Sequence, residues 1–444
     1  MKLWKKSIDI NAQVEKFTIG NDQQMDLFLA KADVLGSLAH TQMLETINLL
    51  TAKELEVVQK GLKTIYKEIE AGRFVMEEGM EDVHSQIEFQ LTKMVGNAGA
   101  KIHSGRSRND QVLVDLKIFL RRELYEIIEL VKPFFNLLQE LSDRHKEVLI
   151  PGYTHLQVAM PSSVGLWLGA FAESLVDDCQ LLLSAYKICN KNPLGSAAGY
   201  GSSFPLNRTL TTELLGFDAL NYNVIYAQMG RGKCEKITAM ALANLASTLA
   251  RFAHDNCLFM SQNFGFIKYP DEFTTGSSIM PHKKNPDVWE LVRGKCNTIQ
   301  ALPNTISMLT NNLPLGYNRD LQLLKESLFP ALQQMKEILK MSTVMLQEII
   351  VNKEVMSDPR YLFAFSVEEV NKLVLTGVPF RTAYKKVGLE IEAGKFTPNY
   401  AVHHTHEGSI GNLCNGPIKQ LFEEVLQAFD FDRFLVAEEK LIQE

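Results

Sequence analysis

The sequence predicts an all-α protein built around a bundle of long helices. None of the 15 prolines precedes Pro133, and none lies between Pro205 and Pro270. Long helices are therefore permitted, since an interior proline costs about 3 kcal/mol. Alternating apolar and polar residues, the pattern typical of strands, are few and short. Apolar residues instead recur at helical spacing in five segments, which favours a helical bundle: residues 112–131, 163–187, 222–263, 288–309 and 328–350.

The distribution of these segments divides the chain into three predicted domains. Residues 1–107 combine short helical patterns with polar turns and form the first. The five long helices occupy residues 108–355 and form the second. Residues 356–444 begin with a Ser-Asp-Pro turn, contain further glycines and prolines, and are predicted to be a small helical domain.

Charge and composition exclude several classes of protein. The 46 basic and 52 acidic residues give a net charge of −6, without the basic excess typical of nucleic-acid binders. The uncharged run at residues 237–250 is shorter than the roughly 20 residues that span a membrane. The first nine residues lack the apolar core of a signal peptide. Six cysteines without a C-x-x-C pair indicate free thiols in a reducing compartment, so we expect a cytoplasmic protein.

One segment concentrates groups that could bind an anion and move a proton. Residues 275–287, T-G-S-S-I-M-P-H-K-K-N-P-D, interrupt the helical pattern with two prolines, two serines and a glycine. Composition alone is equally compatible with a surface loop. Hydroxyl, amide, imidazole and ammonium groups on a loop between rigid helices are also common at active sites.

Three further clusters are ambiguous when taken singly. Residues 151–157 contain His155, which titrates near neutrality, although a lone histidine is more often structural. Residues 105–111 could form an anion site with two arginines, or could cap the following helix through Asp110 or Asn109. Residues 317–326 place two polar side chains three positions apart, which is also typical of a solvated helix face.

No cofactor or metal is expected. The glycine-rich stretch 195–201 lacks the G-K-[ST] ending of a phosphate loop, and no predicted strand precedes it. The histidines at 403–406 have no acidic or cysteine partner at metal-binding spacing.

The four clusters together are far more specific than any one of them. Residues 276–286 resemble the signature loop of the fumarase/aspartase superfamily, G-S-S-x-M-P-x-K-x-N-P. With 105–111, 151–157 and 317–326 in this order, the chain resembles the argininosuccinate lyase branch of that superfamily. The likeness runs from residues 2–4 to about residue 391 and includes the segments 81–84 and 377–381. The last 50 residues match poorly.

This resemblance implies a fold, an assembly and a reaction. Members have an all-α, three-domain subunit and form homotetramers whose central helices pack into one bundle. Each active site is built from three chains. The reaction implied is the elimination of fumarate from argininosuccinate to give arginine, the last step of arginine biosynthesis. The expected ligand is this small-molecule substrate, and neither nucleic acid nor a membrane is expected as a partner.

The resemblance also implies roles for individual residues. His155 and Ser277 match the two proton-transfer positions of the family. We favour Ser277 as the base at carbon and His155 on the leaving guanidino side, while the traditional assignment is the opposite, and the sequence leaves both open. The substrate-binding positions of the family match Arg108, Asn109, Thr154, Lys283, Asn285, Tyr317, Gln322 and Lys325.

Three departures from the family pattern concern the substrate. His282 replaces the usual glutamine of the signature loop, as in adenylosuccinate lyases. Asp22 stands where the family has a substrate-contacting serine. Residues 223–232 keep Asn223 and Arg231 but lack the acidic and hydroxyl partners of the family's segment. The alternatives are therefore adenylosuccinate lyase, another fumarate-releasing lyase, or a non-catalytic crystallin-like homotetramer, which the presence of His155 and Ser277 disfavours.

Overall fold

The fold was derived from a computed structural model that describes residues 11–77 and 79–443. Residues 2–4, where the family resemblance begins, lie outside these ranges. Helices dominate the described chain and strands are short, so the all-α prediction is confirmed. None of the helices within these ranges combines the length and apolar character needed to cross a membrane.

The N-terminal region consists of short and medium helices around an apolar cluster that also includes Val114 and Ile118 of the next helix. Thr51 begins α4 with a capping box to Glu54, and Val58, Leu62 and Ile65 form the buried stripe of that helix. The helices are α1 Ala12–Ile19, α2 Asp22–Asp26, α3 Ala30–Thr46, α4 Ala52–Glu70, α5 Val83–Val95 and α6 Asn97–Ala100, with 3₁₀ turns at Leu27–Leu29 and Lys101–His103.

Five long helices form the centre of the molecule and contribute most of its largest apolar cluster, which confirms the prediction of a long-helix bundle. The stripe predicted in the first of them is buried, from Leu116 through Leu124 to Val131. Two short helices lie between the second and third long ones. In chain order the helices are α7 Arg108–Arg144, α8 Val164–Cys189, α9 Arg208–Leu214, α10 Val224–Met229, α11 Lys233–Phe259, α12 Asp287–Leu309 and α13 Leu323–Gln347.

Two predicted helix boundaries are wrong. Helix α7 continues through Pro133 as far as Arg144, because Phe134 and Phe135 beside the proline are fully buried in the central core. The predicted helix 222–263 is instead divided into α10 and α11 at Gly230–Gly232. Gly232 adopts a left-handed φ of 82°, and a Cβ there would lie 2.6 Å from the Thr310 side chain.

Within residues 11–77 and 79–443, four two-stranded sheets connect these helices. The longest is an antiparallel hairpin of β1 Leu149–Thr154 and β2 Gln157–Ser163 between α7 and α8. The other pairs have two residues per strand. They are β3 Lys191–Asn192 with β4 Ala219–Leu220 (parallel), β5 Ile267–Lys268 with β8 Ile350–Val351, and β6 Thr275–Gly276 with β7 Lys284–Asn285 (both antiparallel).

The C-terminal region contributes to three apolar clusters, including the one around the N-terminal helices through Leu441. Between the first two helices of this region lies a small apolar cluster that includes Val370 and Val387. The last pair packs into the central core, where the Phe422 ring stacks on Phe135 at 3.8 Å. The division into domains 1–107, 108–355 and 356–444 remains a prediction. The helices are α14 Ser366–Leu375, α15 Phe380–Glu392, α16 Asn415–Gln427 and α17 Phe431–Gln443, preceded by 3₁₀ turns at Val355–Ser357 and Pro359–Phe365.

Candidate active site

A pocket of about 210 Å³ opens where α2 and α5 meet the beginnings of α7 and α13. It brings together residues from two of the four sequence clusters, although these are about 200 positions apart in the chain. Five of the predicted substrate-binding residues line it: Arg108, Asn109, Tyr317, Gln322 and Lys325.

The N-terminus of α7 is fixed by a capping box. Ser107 is the N-cap residue: its hydroxyl accepts from the Asn109 N–H at 3.3 Å, and its own N–H donates to Asp110 at 2.8 Å. The second Asp110 oxygen accepts the N–H groups of Gly195 and Ala197. Burial raises the pKa of Asp110 to about 6, against the lowering effect of these donors. The cap is therefore Ser107, and Asp110 also binds the 195–197 loop to the helix start.

Arg108 is held on one side of the pocket by α5 and its own helix. Its guanidinium donates to the Ser85 hydroxyl at 3.1 Å and to the Gln111 side chain at 3.0 Å. The carboxylates of Asp82 and Glu88 lie 3.6 and 3.5 Å away. These contacts orient the guanidinium before any ligand arrives.

The opposite side is the start of α13, which binds α1 and α2. Gln322 donates its amide to the carbonyl oxygens of Thr18 and Ile19, at 3.2 and 3.0 Å. The Lys325 ammonium lies 2.5 Å from an Asp26 oxygen and also contacts Asp22. Gln322 ends the 3₁₀ turn Arg319–Gln322 that precedes α13, and both it and Lys325 line the pocket.

Sequence reasoning missed much of the pocket's charge. Asp22 and Asp26 are four residues apart on one short helix, a spacing that could have indicated a shared carboxylate site. Arg319 lies within a recognised motif, but its ion pair with Glu81 at 3.3 Å depends on tertiary packing. The charged lining residues absent from the predicted site are Asp22, Asp26, Glu81, Asp82, His84, Arg231 and Arg319.

His155 and Thr154 lie elsewhere, at the tip of the β1–β2 hairpin. Thr154 pairs with Gln157, which leaves His155 and Leu156 as the two turn residues. Both adopt left-handed φ angles, 53° and 57°, which are sterically unfavourable for a leucine. Both side chains are exposed, Leu156 by 79%. None of residues 151–157 is among the described residues that line the pocket.

The signature loop forms a third separate region. Strands β6 and β7 close residues 277–283 into an exposed loop that precedes α12. The Ser277 hydroxyl oxygen accepts the backbone N–H groups of Ile279 and Met280, at 3.3 and 3.1 Å. Lys283 is exposed and Asn285 lies against the loop's first strand. These donors would stabilise negative charge on the serine oxygen.

A buried ionic cluster lies beside the pocket at His84. Its Nδ1 is 2.9 Å from Asp33 and 3.3 Å from Asp115, and all three side chains are almost fully buried. Burial disfavours the imidazolium, but the charges of Asp33, Asp82 and Asp26 together outweigh it and raise the pKa of His84. Burial and the Asp33 charge raise the pKa of Asp115. The pKa of Asp33 falls to about 2, because His84, Arg106 and the Gln111 hydrogen bond together outweigh its burial.

The same three residues are the one group of possible metal ligands found close together within the described chain. Their ligand atoms lie within 4.8 Å of one another. The positive charge that such a cluster needs is available from His84 itself and from Arg106, whose guanidinium lowers the pKa of Asp33. Ion pairs of His84 with both carboxylates hold the cluster together, while both Asp115 oxygens and the His84 Nε2 are buried without a hydrogen-bond partner.

Comparison with known proteins identifies lyases as relatives of this chain. A family model described as lyase matches residues 7–301. The argininosuccinate lyase of Bacteroides thetaiotaomicron is 62% identical over 441 residues, which cover 99% of each chain. That of Thermotoga neapolitana is 38% identical over 386 residues, 87% of this chain and 97% of the relative.

Solved structures share the fold at low sequence identity. An EDDS lyase in complex with formate aligns with a TM-score of 0.73 and 23% identity, covering 98% of this chain and 95% of that one. A class II fumarase from Schistosoma mansoni aligns with a TM-score of 0.74 and 15% identity, covering 95% and 96%. Together with the full-length relatives, these matches establish that the chain belongs to the argininosuccinate lyase family of the fumarase/aspartase superfamily.

Proposed function

We propose that this protein cleaves argininosuccinate into arginine and fumarate, as the final step of arginine biosynthesis. The observation that carries this proposal is the mixed charge of the pocket. Asp22, Asp26, Glu81 and Asp82 line it together with Arg108, Arg231, Arg319 and Lys325. Argininosuccinate carries carboxylates, an ammonium and a guanidinium group, so a lining with both signs of charge suits it.

The chemistry requires removal of a weakly acidic proton next to a carboxylate. The resulting aci-carboxylate carries two negative charges, and preorganised donors aimed at that charge usually give the largest catalytic effect. Lys283 and Asn285 are the donors we assign to this intermediate. Asn109 and Thr154 contact the substrate in the same scheme.

Ser277 is the base at carbon in our proposal. The two backbone N–H groups that donate to its oxygen support this role, because they stabilise the deprotonated hydroxyl. After proton removal, the electron pair of the C–H bond forms the C=C bond of fumarate and the C–N bond breaks. His155 donates a proton to the leaving guanidino nitrogen, and the exposed hairpin tip leaves its imidazole accessible to substrate.

The active site is shared between copies of the chain, and we propose a homotetramer. Support comes from the three separate regions in which the predicted site residues lie, since a second and third copy would bring a hairpin tip and a signature loop to the pocket. Exposed aliphatic side chains on α12 and α13 also suit burial against other copies: Leu291, Met341 and Val344.

We also propose a cytoplasmic location. All six cysteines are free, and four of them are buried. Free thiols persist in a reducing compartment, where biosynthetic enzymes of this kind have access to their substrates.

The substrate assignment is tested by ultraviolet detection of fumarate. Purified protein is mixed with argininosuccinate and, separately, with adenylosuccinate. We expect fumarate from argininosuccinate alone. Release from adenylosuccinate alone would make His282 the diagnostic residue and contradict the proposal. No product from either would favour another substrate or a structural, crystallin-like role.

A further inference from the structure

The turn of the β1–β2 hairpin has a backbone geometry that does not suit the residues in it. His155 and Leu156 lie between the paired residues Thr154 and Gln157, and both have left-handed φ angles. Two-residue hairpin turns of this geometry favour asparagine followed by glycine. A leucine is sterically unfavourable there, and such strained residues are concentrated at functional sites. The local structure of the hairpin therefore gives no reason for Leu156.

Leu156 also exposes an apolar side chain at one end of an apolar surface. It is 79% exposed, and Val158 and Met160, which share one face of β2, are 36% and 38% exposed. The turn is held in this orientation by Gln157, whose side-chain amide donates to the Leu156 carbonyl oxygen at 3.2 Å. An ordered hairpin that presents several apolar side chains to solvent is typical of an interaction site.

We infer that Leu156 is a positioning residue, whose side chain packs against a second copy of the chain and thereby holds the imidazole of His155 at the pocket of that copy. This inference rests on the proposed function, in which His155 acts at the pocket of another copy. Consecutive Cα atoms are about 3.8 Å apart, so Leu156 must approach the same copy. Burial of the leucine in that contact offsets the unfavourable turn, which gives a reason for leucine in place of asparagine or glycine.

Substitutions that suit the turn better than leucine provide the test. L156N and L156G are both compatible with a left-handed φ, so the hairpin should form in each. Loss of the apolar contact should nevertheless lower kcat for fumarate release by about tenfold or more, because the imidazole is then less well positioned. KM should stay nearly unchanged, since the pocket contacts remain intact. L156M keeps an apolar side chain and should retain most of the turnover.

A matched control tests whether any exposed leucine would give the same result. Leu375, the last residue of α14, is 89% exposed and lies outside the proposed site. L375N makes the same change of side chain there and should keep the wild-type kcat. Wild-type kcat in both L156N and L156G, or a loss in L156M as large as theirs, would overturn the inference.

Reaction with a thiol reagent gives a readout that does not depend on turnover. In L156C, peptide mapping after maleimide treatment should show the introduced thiol protected in the assembled protein and labelled after dissociation in mild denaturant. In L375C the introduced thiol should be labelled in both states. Full labelling of assembled L156C would overturn the inference. If the wild type releases no fumarate while the L156C thiol is protected, the contact with a second copy stands and the proposed function fails.

Discussion

Replacement of Lys325 by alanine should reduce both stability and ligand affinity. The Lys325 side chain is 4% exposed and that of Asp26 is 2% exposed, so the variant leaves carboxylates buried without their cation. Removal of one partner from a buried ion pair typically costs about 3–5 kcal/mol. We expect a loss near that range at pH 7, measured as the shift of the urea midpoint at fixed protein concentration, with the buried Trp289 as fluorescent probe.

The loss should depend on pH in a defined direction. Burial and Asp26 already raise the pKa of Asp22, and removal of Lys325 takes away the largest opposing effect. An acid whose folded-state pKa is raised above its unfolded value of about 3.9 destabilises the folded state increasingly as pH rises through that interval. The variant should therefore be least stable, relative to wild type, at neutral and higher pH, and should recover as the pH falls towards the unfolded value of about 3.9.

Lys336 is a matched control on the same helix. Its ammonium also contacts two carboxylates, Glu123 and Glu126, but it is outside the described lining of the pocket. Glu126 is 43% exposed, so Lys336→Ala should destabilise less. It should also leave the Kd for arginine unchanged, whereas Lys325→Ala should raise it about tenfold or more. Unchanged arginine affinity in Lys325→Ala, or equal effects in both variants, would refute the reasoning.

Three further predictions concern the proton-transfer residues and the buried cluster. His155→Asn should lower kcat/KM by roughly 10²–10⁴ with assembly intact, and near-normal turnover would exclude His155 from the chemistry. Ser277→Ala should lose turnover but retain arginine binding by calorimetry. The neighbouring Ser278→Ala should remain active, and the reverse result would identify Ser278 as the base. Because the folded-state pKa of His84 is raised, its contribution to stability is complete below about pH 6.5 and declines as pH rises through the folded value. The difference in urea midpoint between wild type and His84→Asn should shrink from pH 6 to pH 9, and a constant difference would contradict the charged assignment.

The long helices could be predicted from the sequence because their burial follows a one-dimensional repeat. The stripe from Leu116 to Val131 is visible without any tertiary information. The continuation of α7 through Pro133 was missed, because only the packing of Phe134 and Phe135 explains it. The division at Gly230–Gly232 was missed for a similar reason, since it depends on the approach of Thr310.

The candidate site could be predicted only as a set of residues. Motif spacing found Arg108 and Lys325, which do line one pocket. It could not find the pairing of Lys325 with Asp22 and Asp26, because those contacts join positions about 300 residues apart. The spatial separation of His155 from the pocket is likewise a tertiary property, and no local pattern contains it.

The claim that each active site is assembled from different copies of the chain can be tested most directly by mixing two impaired variants. His155→Asn lacks the hairpin histidine, and Lys325→Ala lacks the buried cation of the pocket. The two proteins are dissociated together in mild denaturant, reassembled, and assayed for fumarate release from argininosuccinate. At an argininosuccinate concentration below KM, the mixture should be more active than either variant treated alone, because some sites then combine an intact pocket with an intact hairpin from another copy. Reassembled mixed oligomers that are no more active than the separate variants would contradict the shared site.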